Sequence, residues 1–386
     1  MEEERNEIPE LRSSEEIVID EIRPYLLDPR EEYPEPFFML EFNGIPFSPL
    51  GGIQAITGQK KNGKSFLITQ LMSAILASGS EKVEEYLPGL KMPQRTKDYL
   101  GHEPSVLYVD TEMEKLNSAK VLRRVHWLCD WPMNEPQDRF NVLWLRSVEK
   151  NEETGMPAHR MRLSLILKAV VALKPDVVFI DGIRDIIGDF NDNEESSQLV
   201  SLLMAEAQKR GICIWNALHL NPRPGNDDDS KMRGHLGTEV GNKVSDTLCC
   251  IKQKTSNGVT FTVKQMDARG KDMDDWRFEV TDAAGALGIP KIFGSGQNLK
   301  KIGTVNGVEA DSREDIKKWL NDLEDLTDWP MSKNAIKKLF KENGWQKNSE
   351  KLQADIEVAI TEGYLVQTTE KKNGAYLFKI GDELPF

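Results

Sequence analysis

The chain has 386 residues, 39% of them hydrophobic and 29% charged, the composition of a globular protein long enough for two or three domains. It holds no run of about 18 apolar residues, which excludes a membrane-spanning helix, and its acidic start, MEEERNEIPE, is unlike a secretory leader. The net charge of −13 argues against a surface that attracts polyanions everywhere, but residues 1–36 hold 13 acidic side chains against four arginines, so the other 350 residues carry only −4.

Residues 1–36, with Pro9, Pro24, Pro29, Pro34 and Pro36, read as an arm, extended or partly helical, that is either a disordered tail or a segment packing on a neighbouring subunit. From residue 37 to 280 short β-rich apolar runs alternate with helical periodicity. Strands are expected at Ile53–Thr57, Val106–Asp110, 141–145, Val177–Asp181, 212–217, 247–252 and 259–263, and helices over 65–77, 160–173 and 198–210. That alternation predicts an α/β domain whose largely parallel sheet is covered on both faces. The turn Ser256-Asn257-Gly258 joins the last two strands as a hairpin. Cys129, Cys213, Cys249 and Cys250 form no C-x-x-C pair and read as small buried side chains in a reducing cytoplasm. Residues 281–310, rich in Gly and Lys, read as a linker. Residues 311–386 then give helices near 313–323, 333–343 and 350–362 and a hairpin around Lys371-Lys372-Asn373-Gly374, the order of a small winged-helix domain.

The strongest local signal is Gly58-Gln59-Lys60-Lys61-Asn62-Gly63-Lys64-Ser65, a full match to G-x-x-x-x-G-K-[ST] between a strand and a helix. The chemistry needs those types. The glycines let the backbone turn its N–H groups inward as an anion nest, and the helix from Lys64 aims its positive end at the same point. Lys64 is expected on the β and γ phosphates of ATP, and the Ser65 hydroxyl on Mg2+.

Two carboxylates follow at strand ends. Val106–Asp110 runs into Thr111-Glu112-Met113, which places Glu112 to activate a water against the γ-phosphate, with Asp110 in a structural role. Val177–Asp181 is four apolar residues and then Asp181, a buried strand delivering one carboxylate to the Mg2+ shell.

With these in order the chain resembles the RecA-like ATPases, and within them the plasmid RepA-type hexameric helicases, with similarity to the DnaB-type helicases. Val109-Asp110-Thr111-Glu112 is similar to the strand-end motif carrying the hydrolytic base. Residues 214–221, ending His219-Leu220-Asn221, resemble the strand whose His senses the γ-phosphate. Met232-Arg233-Gly234 resembles the Arg-Gly segment that follows. Val263-Lys264 and Arg269-Gly270 resemble the Lys-x-Arg pair that reaches a neighbouring subunit's site, although four residues separate the two cations here and Lys271 competes with them. The resemblance covers about residues 45–280, and 80–103 has no counterpart in it. It implies a RecA-like three-layer core, a ring-forming homo-oligomer in the cytoplasm, Arg269 as a trans-acting finger, and single-stranded DNA against the loop 221–231, with Arg223, Lys231 and Arg233 as contacts.

In the C-terminal module Lys333, Lys337, Lys338 and Lys341 recur at helical spacing and residues 331–352 carry a balance of +4, which suits duplex phosphates. The same face serves equally as a solvated helix or a protein-binding surface. Three functions stay open on sequence: a DNA helicase of a plasmid or mobile element, a regulatory or loader ATPase that does not unwind, and a small-molecule kinase, against which Glu112 and the late hairpin argue.

Overall fold

A computed structural model describes residues 14–220, 232–255, 258–295, 304–305, 308–309, 313–324, 326–327, 329–361, 364–372 and 375–380. The loop expected at 221–231, with Arg223 and Lys231, lies outside them. The chain divides into two compact units, Met1–Pro36 and Phe37–Phe386.

In the first unit, helix α1 (Ser14–Ile22) passes into a 3-10 turn, Arg23–Tyr25, with Pro24 in its first positions, where its missing N–H costs nothing. Val18, Ile19, Ile22, Tyr25, Leu26 and Leu27 are all exposed in it.

The second unit opens with β1 (Phe38–Phe42), β2 (Ile45–Pro49), β3 (Ile53–Thr57) and α2 (Lys64–Leu76). Residues 80–103, which the sequence pattern leaves unassigned, form α3 (Glu81–Tyr86), β4 (Leu90–Lys91) and α4 (Gln94–Leu100). They belong to the core. β4 completes a small antiparallel sheet of order β2-β1-β4, Thr96 Oγ1 donates to Phe38 O at 2.6 Å, and Tyr99 stacks on Phe37.

The main sheet is built from β3 and from β5 (Val106–Asp110), β6 (Phe140–Trp144), β7 (Val177–Asp181), β8 (Cys213–Ala217), β9 (Asp246–Thr255), β10 (Gly258–Ala268), β11 (Trp276–Thr281) and β12 (Ile289–Ser295). Its order is β12-β11-β10-β9-β3-β8-β7-β5-β6, parallel from β9 to β6 and antiparallel from β9 to β12. The helices α5 (Lys115–Leu128), α6 (Ala158–Leu173), α7 (Asn193–Arg210) and α8 (Gly234–Lys243) complete it.

Period-two burial sorts the strand residues onto two faces. Ile56, Tyr108, Phe179, Trp215, Cys250 and Val263 pack with α2 and α5, while Ala55, Leu107, Val109, Val178, Ile180 and Ile214 pack with α6, α7 and α8. A mainly parallel sheet between two helical layers, with the phosphate loop after a central strand, is the RecA-like architecture. All four cysteines are buried thiols.

The sheet runs beyond the expected boundary at 280. Residues 289–295, expected as linker, form β12, paired along β11 from Ile289 opposite Thr281 to Ser295 opposite Trp276. The guanidinium of Arg124 on α5 fastens the connection by donating from Nε to Leu287 O and Gly288 O at 2.9 and 3.0 Å. Gly285 and Gly288, which read as linker, instead permit a turn, and Gly294 sits beside the irregular register of β12. Downstream, β13 (Thr304–Val305) pairs with β14 (Val308–Glu309).

The C-terminal residues form α9 (Arg313–Glu324), β15 (Met331–Ser332), α10 (Lys333–Glu342), α11 (Ser349–Thr361), β16 (Leu365–Lys372) and β17 (Ala375–Ile380), with the strands in the order β15-β17-β16. They surround a core of their own that includes Ile316, Leu320, Ile336, Phe340, Ile356 and Phe378.

Candidate functional site

Strand β3 is buried throughout and ends at Thr57, and at Gly58 the backbone leaves the sheet. A Cβ on Gly58 would meet Cys250 O at 2.5 Å, and one on Gly63 would meet the Phe261 ring at 2.6 Å, while Gly63 itself sits at φ +88° as the N-cap of α2. The loop therefore lies against β9 and β10 at two points where a side chain would collide. Cys250 Sγ donates to Asn62 O at 2.8 Å, and Asn62 N donates to Gln59 O at 3.3 Å, closing the turn. Lys60 and Lys61 are exposed on its crest.

Lys64 points back under the loop. Its ammonium donates to Gly58 O at 3.2 Å, Gln59 O at 3.3 Å and His219 Nδ1 at 2.9 Å. Burial depresses the Lys64 pKa, and the charges of Asp181 and Glu112 resist that. An ammonium has no acceptor lone pair. His219 Nδ1 must therefore accept, the ring proton sits on Nε2, and Nε2 lies 3.5 Å from Glu112 Oε2. The three residues form a chain from the lysine through the imidazole to the carboxylate. The His219 contact holds Glu112 below the usual carboxylate range, against the opposing effect of burial.

Glu112 owes its place to Asp110. The Asp110 Oδ1 atom accepts from the backbone N–H of both Glu112 and Met113 at 2.9 Å, and its Oδ2 accepts from the Ser118 hydroxyl. This pins the turn from β5 into α5, the structural role expected for Asp110. Thr111 adds a second tie, donating from N and Oγ1 to Asp181 O, both at 3.1 Å.

Asp181 faces α2. Its Oδ2 accepts from Ser65 Oγ at 3.2 Å and from Tyr108 OH at 2.9 Å. Burial pushes the Asp181 carboxyl up to about 6, with the Glu112 and Asp110 charges adding to the rise and Tyr108 and Lys64 opposing it. One hydroxyl and one carboxylate, both hard oxygen donors, fit Mg2+, which takes few protein ligands and completes its shell with phosphate and water. Among the described residues no cluster of three or more His, Cys, Asp or Glu could hold a metal by protein ligands alone.

The remaining cations lie elsewhere. β9 runs parallel to β3 with Cys249 opposite Thr57, whereas Arg269 follows Ala268, which pairs with Asp246 at the start of β9. Arg269 is thus at the end of the sheet away from its own phosphate loop, exposed, with its Nη2 3.4 Å from Lys243 O. Lys264 is half-buried opposite Cys249, and Lys271 is exposed beyond β10. Arg233 donates its N–H to His219 O at 3.0 Å and lays its guanidinium 5.6 Å from the Phe190 ring, which Arg184 also covers at 3.9 Å.

On α10, Lys333 pairs with Glu357 at 2.9 Å, Lys337 bonds Gln353, Lys341 bonds Ser349 at 2.7 Å, and Lys338 pairs with Glu342 at 3.6 Å. Three of these four lysines are engaged by α11 residues.

Sequence reasoning missed Tyr108. The signal was available in its parity: Tyr108 and Asp110 share one side of β5, and a buried phenol needs a hydrogen-bond partner.

Residues 44–221 match the AAA domain family, a span that takes in the phosphate loop, Glu112, Asp181 and His219 and stops short of Arg233, Lys264, Arg269 and the C-terminal module. A KaiC-like protein from the hyperthermophilic archaeon Pyrococcus horikoshii OT3 is similar over 67% of this chain and 99% of its own, with 14% identity and a TM-score of 0.41. No curated protein matches the sequence. The matched span carries a complete phosphate loop between β3 and α2. Among the described residues no helix is long and apolar enough to cross a membrane.

Proposed function

We propose that this chain is a homo-oligomeric ATPase that couples hydrolysis to movement on DNA, a helicase of the kind that serves a plasmid or another mobile element. The observation that carries the reading is the contact chain Lys64–His219–Glu112, which links the phosphate-binding lysine to the hydrolytic carboxylate.

Mg2+, when bound, neutralises charge on the β and γ phosphates, and Ser65 with Asp181 would hold it. Lys64 leaves the Gly58 and Gln59 carbonyls for the phosphates. Glu112 takes a proton from the water that attacks the γ-phosphorus; the bond from that phosphorus to the β,γ-bridging oxygen breaks, and ADP and phosphate result. His219 loses its lysine donor when Lys64 moves. Its backbone O accepts from Arg233 N, and Leu220 N donates to Gly58 O at 3.3 Å, so the change is passed to both ends of the segment proposed to meet single-stranded DNA. Arg269, remote from its own loop, acts on the phosphates of a neighbouring copy in a ring, where a cation stabilises the transferring phosphoryl only after assembly.

A second reading is a regulatory or loader ATPase that binds DNA or partner proteins without unwinding. The lysines of α10 favour it, since most of them are engaged within their own module. The deciding experiment is ATP hydrolysis with and without single-stranded DNA, beside the mass in solution and strand displacement on a fork. DNA-stimulated hydrolysis by a ring-sized assembly that separates strands is expected. Hydrolysis indifferent to DNA, from a monomer, would remove the motor reading and the role of Arg269.

A further inference from the structure

We infer that Tyr108 is the positioning residue of the metal-holding carboxylate, its hydroxyl fixing Asp181 Oδ2 from inside the core. The inference deepens the reading of this site as a Mg2+–nucleotide site and rests on it.

Tyr108 is fully buried on β5, opposite Phe179 on β7. Asp181 stands two residues further along β7, the diagonal neighbour on the same face of the sheet, which a side chain as long as tyrosine spans. Its hydroxyl finds Asp181 Oδ2 at 2.9 Å. The other donor to that oxygen, Ser65 Oγ at 3.2 Å, comes from the phosphate-loop side. The two donors approach from different directions and differ in what a ligand can do to them. Ser65 lies in the loop that closes on phosphate, and its hydroxyl is needed by the metal. Tyr108 is fully buried in the core, so its bond does not compete with a ligand for the hydroxyl.

Asp181 itself is only 5% exposed, and water cannot supply the hydrogen bonds a carboxylate wants. Asp110 stands directly opposite it on β5, and Thr111 N, on the backbone between Asp110 and Glu112, donates to Asp181 O. Two further carboxylates therefore lie near Asp181 and push it away from them. A fixed donor from the core holds the carboxylate in place beside Ser65.

The test uses the full chain and the affinity of a fluorescent ATP analogue, measured without metal and across a Mg2+ titration. Tyr108→Phe keeps the ring and removes the donor. The Mg2+ concentration that gives half-maximal tightening is expected to rise about tenfold, the scale of one hydrogen bond to a charged acceptor, while metal-free affinity stays as in the wild type. In an Asp181→Asn background the same substitution is expected to add nothing. An unchanged Mg2+ midpoint overturns the inference. So does an equal shift in the Asp181→Asn background, or an equal loss of metal-free affinity. A Tyr108→Phe chain that does not fold would make the residue structural and overturn it too. The wild type separates the two levels of argument. If it shows no Mg2+-dependent nucleotide binding, the reading of the whole site fails, whereas a wild-type response that Tyr108→Phe reproduces removes only Tyr108.

Discussion

The nucleotide site and the basic helix α10 are both rich in charge, and they differ in where the charges point. At the carboxyl ends of β3, β5, β7 and β8, Lys64, Glu112 and His219 converge through contacts of 2.9 and 3.5 Å, and Asp181 bonds Ser65, the neighbour of Lys64, at 3.2 Å. Lys64 and Asp181 are each less than 10% exposed. On α10 the lysines recur along a single helix, and their partners belong to the same module. Convergence of buried, opposed charges from distant sequence positions costs folding free energy, which function offsets. An exposed pair within a helix contributes less than about 1 kcal/mol and needs no function to explain it.

The largest expected effects test that convergence. Lys64→Ala removes the only cation under the loop among the contacts described, and nucleotide binding and hydrolysis should both fall, hydrolysis by about a thousandfold. Glu112→Gln should separate the two: turnover falls by about a hundredfold or more, while nucleotide affinity holds or tightens because a negative charge near the phosphates is gone. Binding and turnover are read by equilibrium titration and by phosphate release. If Glu112→Gln keeps its turnover, the base lies elsewhere and the contact with His219 at 3.5 Å only orders the site.

What the sequence made legible follows the same division. Gly58 to Ser65 could be read because the chemistry is contiguous and each residue type has a physical reason. The positions of Asp110 and Asp181 could be read because an apolar strand that ends in acid delivers that acid to the sheet edge, and Glu112 follows in the turn after β5. Tyr108 stayed hidden because its hydroxyl sits inside an apolar run, and its partner is 73 positions away. Strand β12 stayed hidden because Gly288 and Gly294 break the pattern, while its partner β11 supplies the register. Residues 80–103 hold elements of two to seven residues, too short for a period to show, and tertiary contacts such as Thr96 to Phe38 O settle their form. The placement of Arg269 needed the pairing of β9 with β10, which no local pattern contains.

Asp246 sharpens the comparison, because it is buried like Asp181 but lies at the other end of the sheet, with no cation paired to it among the described residues. Its carboxylate accepts from Ser48 N at 2.7 Å and Gln265 Nε2 at 3.2 Å, and burial pushes it up to about 6 from 3.8. A folded-state value above the unfolded one means the folded chain holds the proton more tightly. The stability this gives is fully present below about pH 4 and lost as pH rises through about 6. The change amounts to about 3 kcal/mol at most. Asp246→Asn cannot titrate, so its stability between pH 4 and 7, measured by denaturant unfolding, should fall less than that of the wild type. Equal slopes in the two chains would mean that Asp246 keeps an ordinary carboxylate value in spite of its burial.

The smallest effects belong to α10, and they ask whether its lysines meet DNA at all. Lys338 is the most exposed of the paired lysines, its side chain 74% accessible beside Glu342, whereas Lys333 is held by Glu357 and lies 5.3 Å from the Phe378 ring. If the module binds duplex phosphates, Lys338→Ala should weaken binding by about threefold at moderate salt and lower the slope of log affinity against log salt by about 0.9, one phosphate contact. Lys333→Ala should instead lower the melting temperature by a degree or two, roughly the effect of one partly exposed pair, and leave the salt slope alone. The ordering is what discriminates. A Lys333 effect on DNA larger than the Lys338 effect would mean that the internal pairs open to bind phosphate. A salt slope unmoved by either change would leave the helix as a solvated or protein-facing surface, and the motor reading would then rest on the core alone.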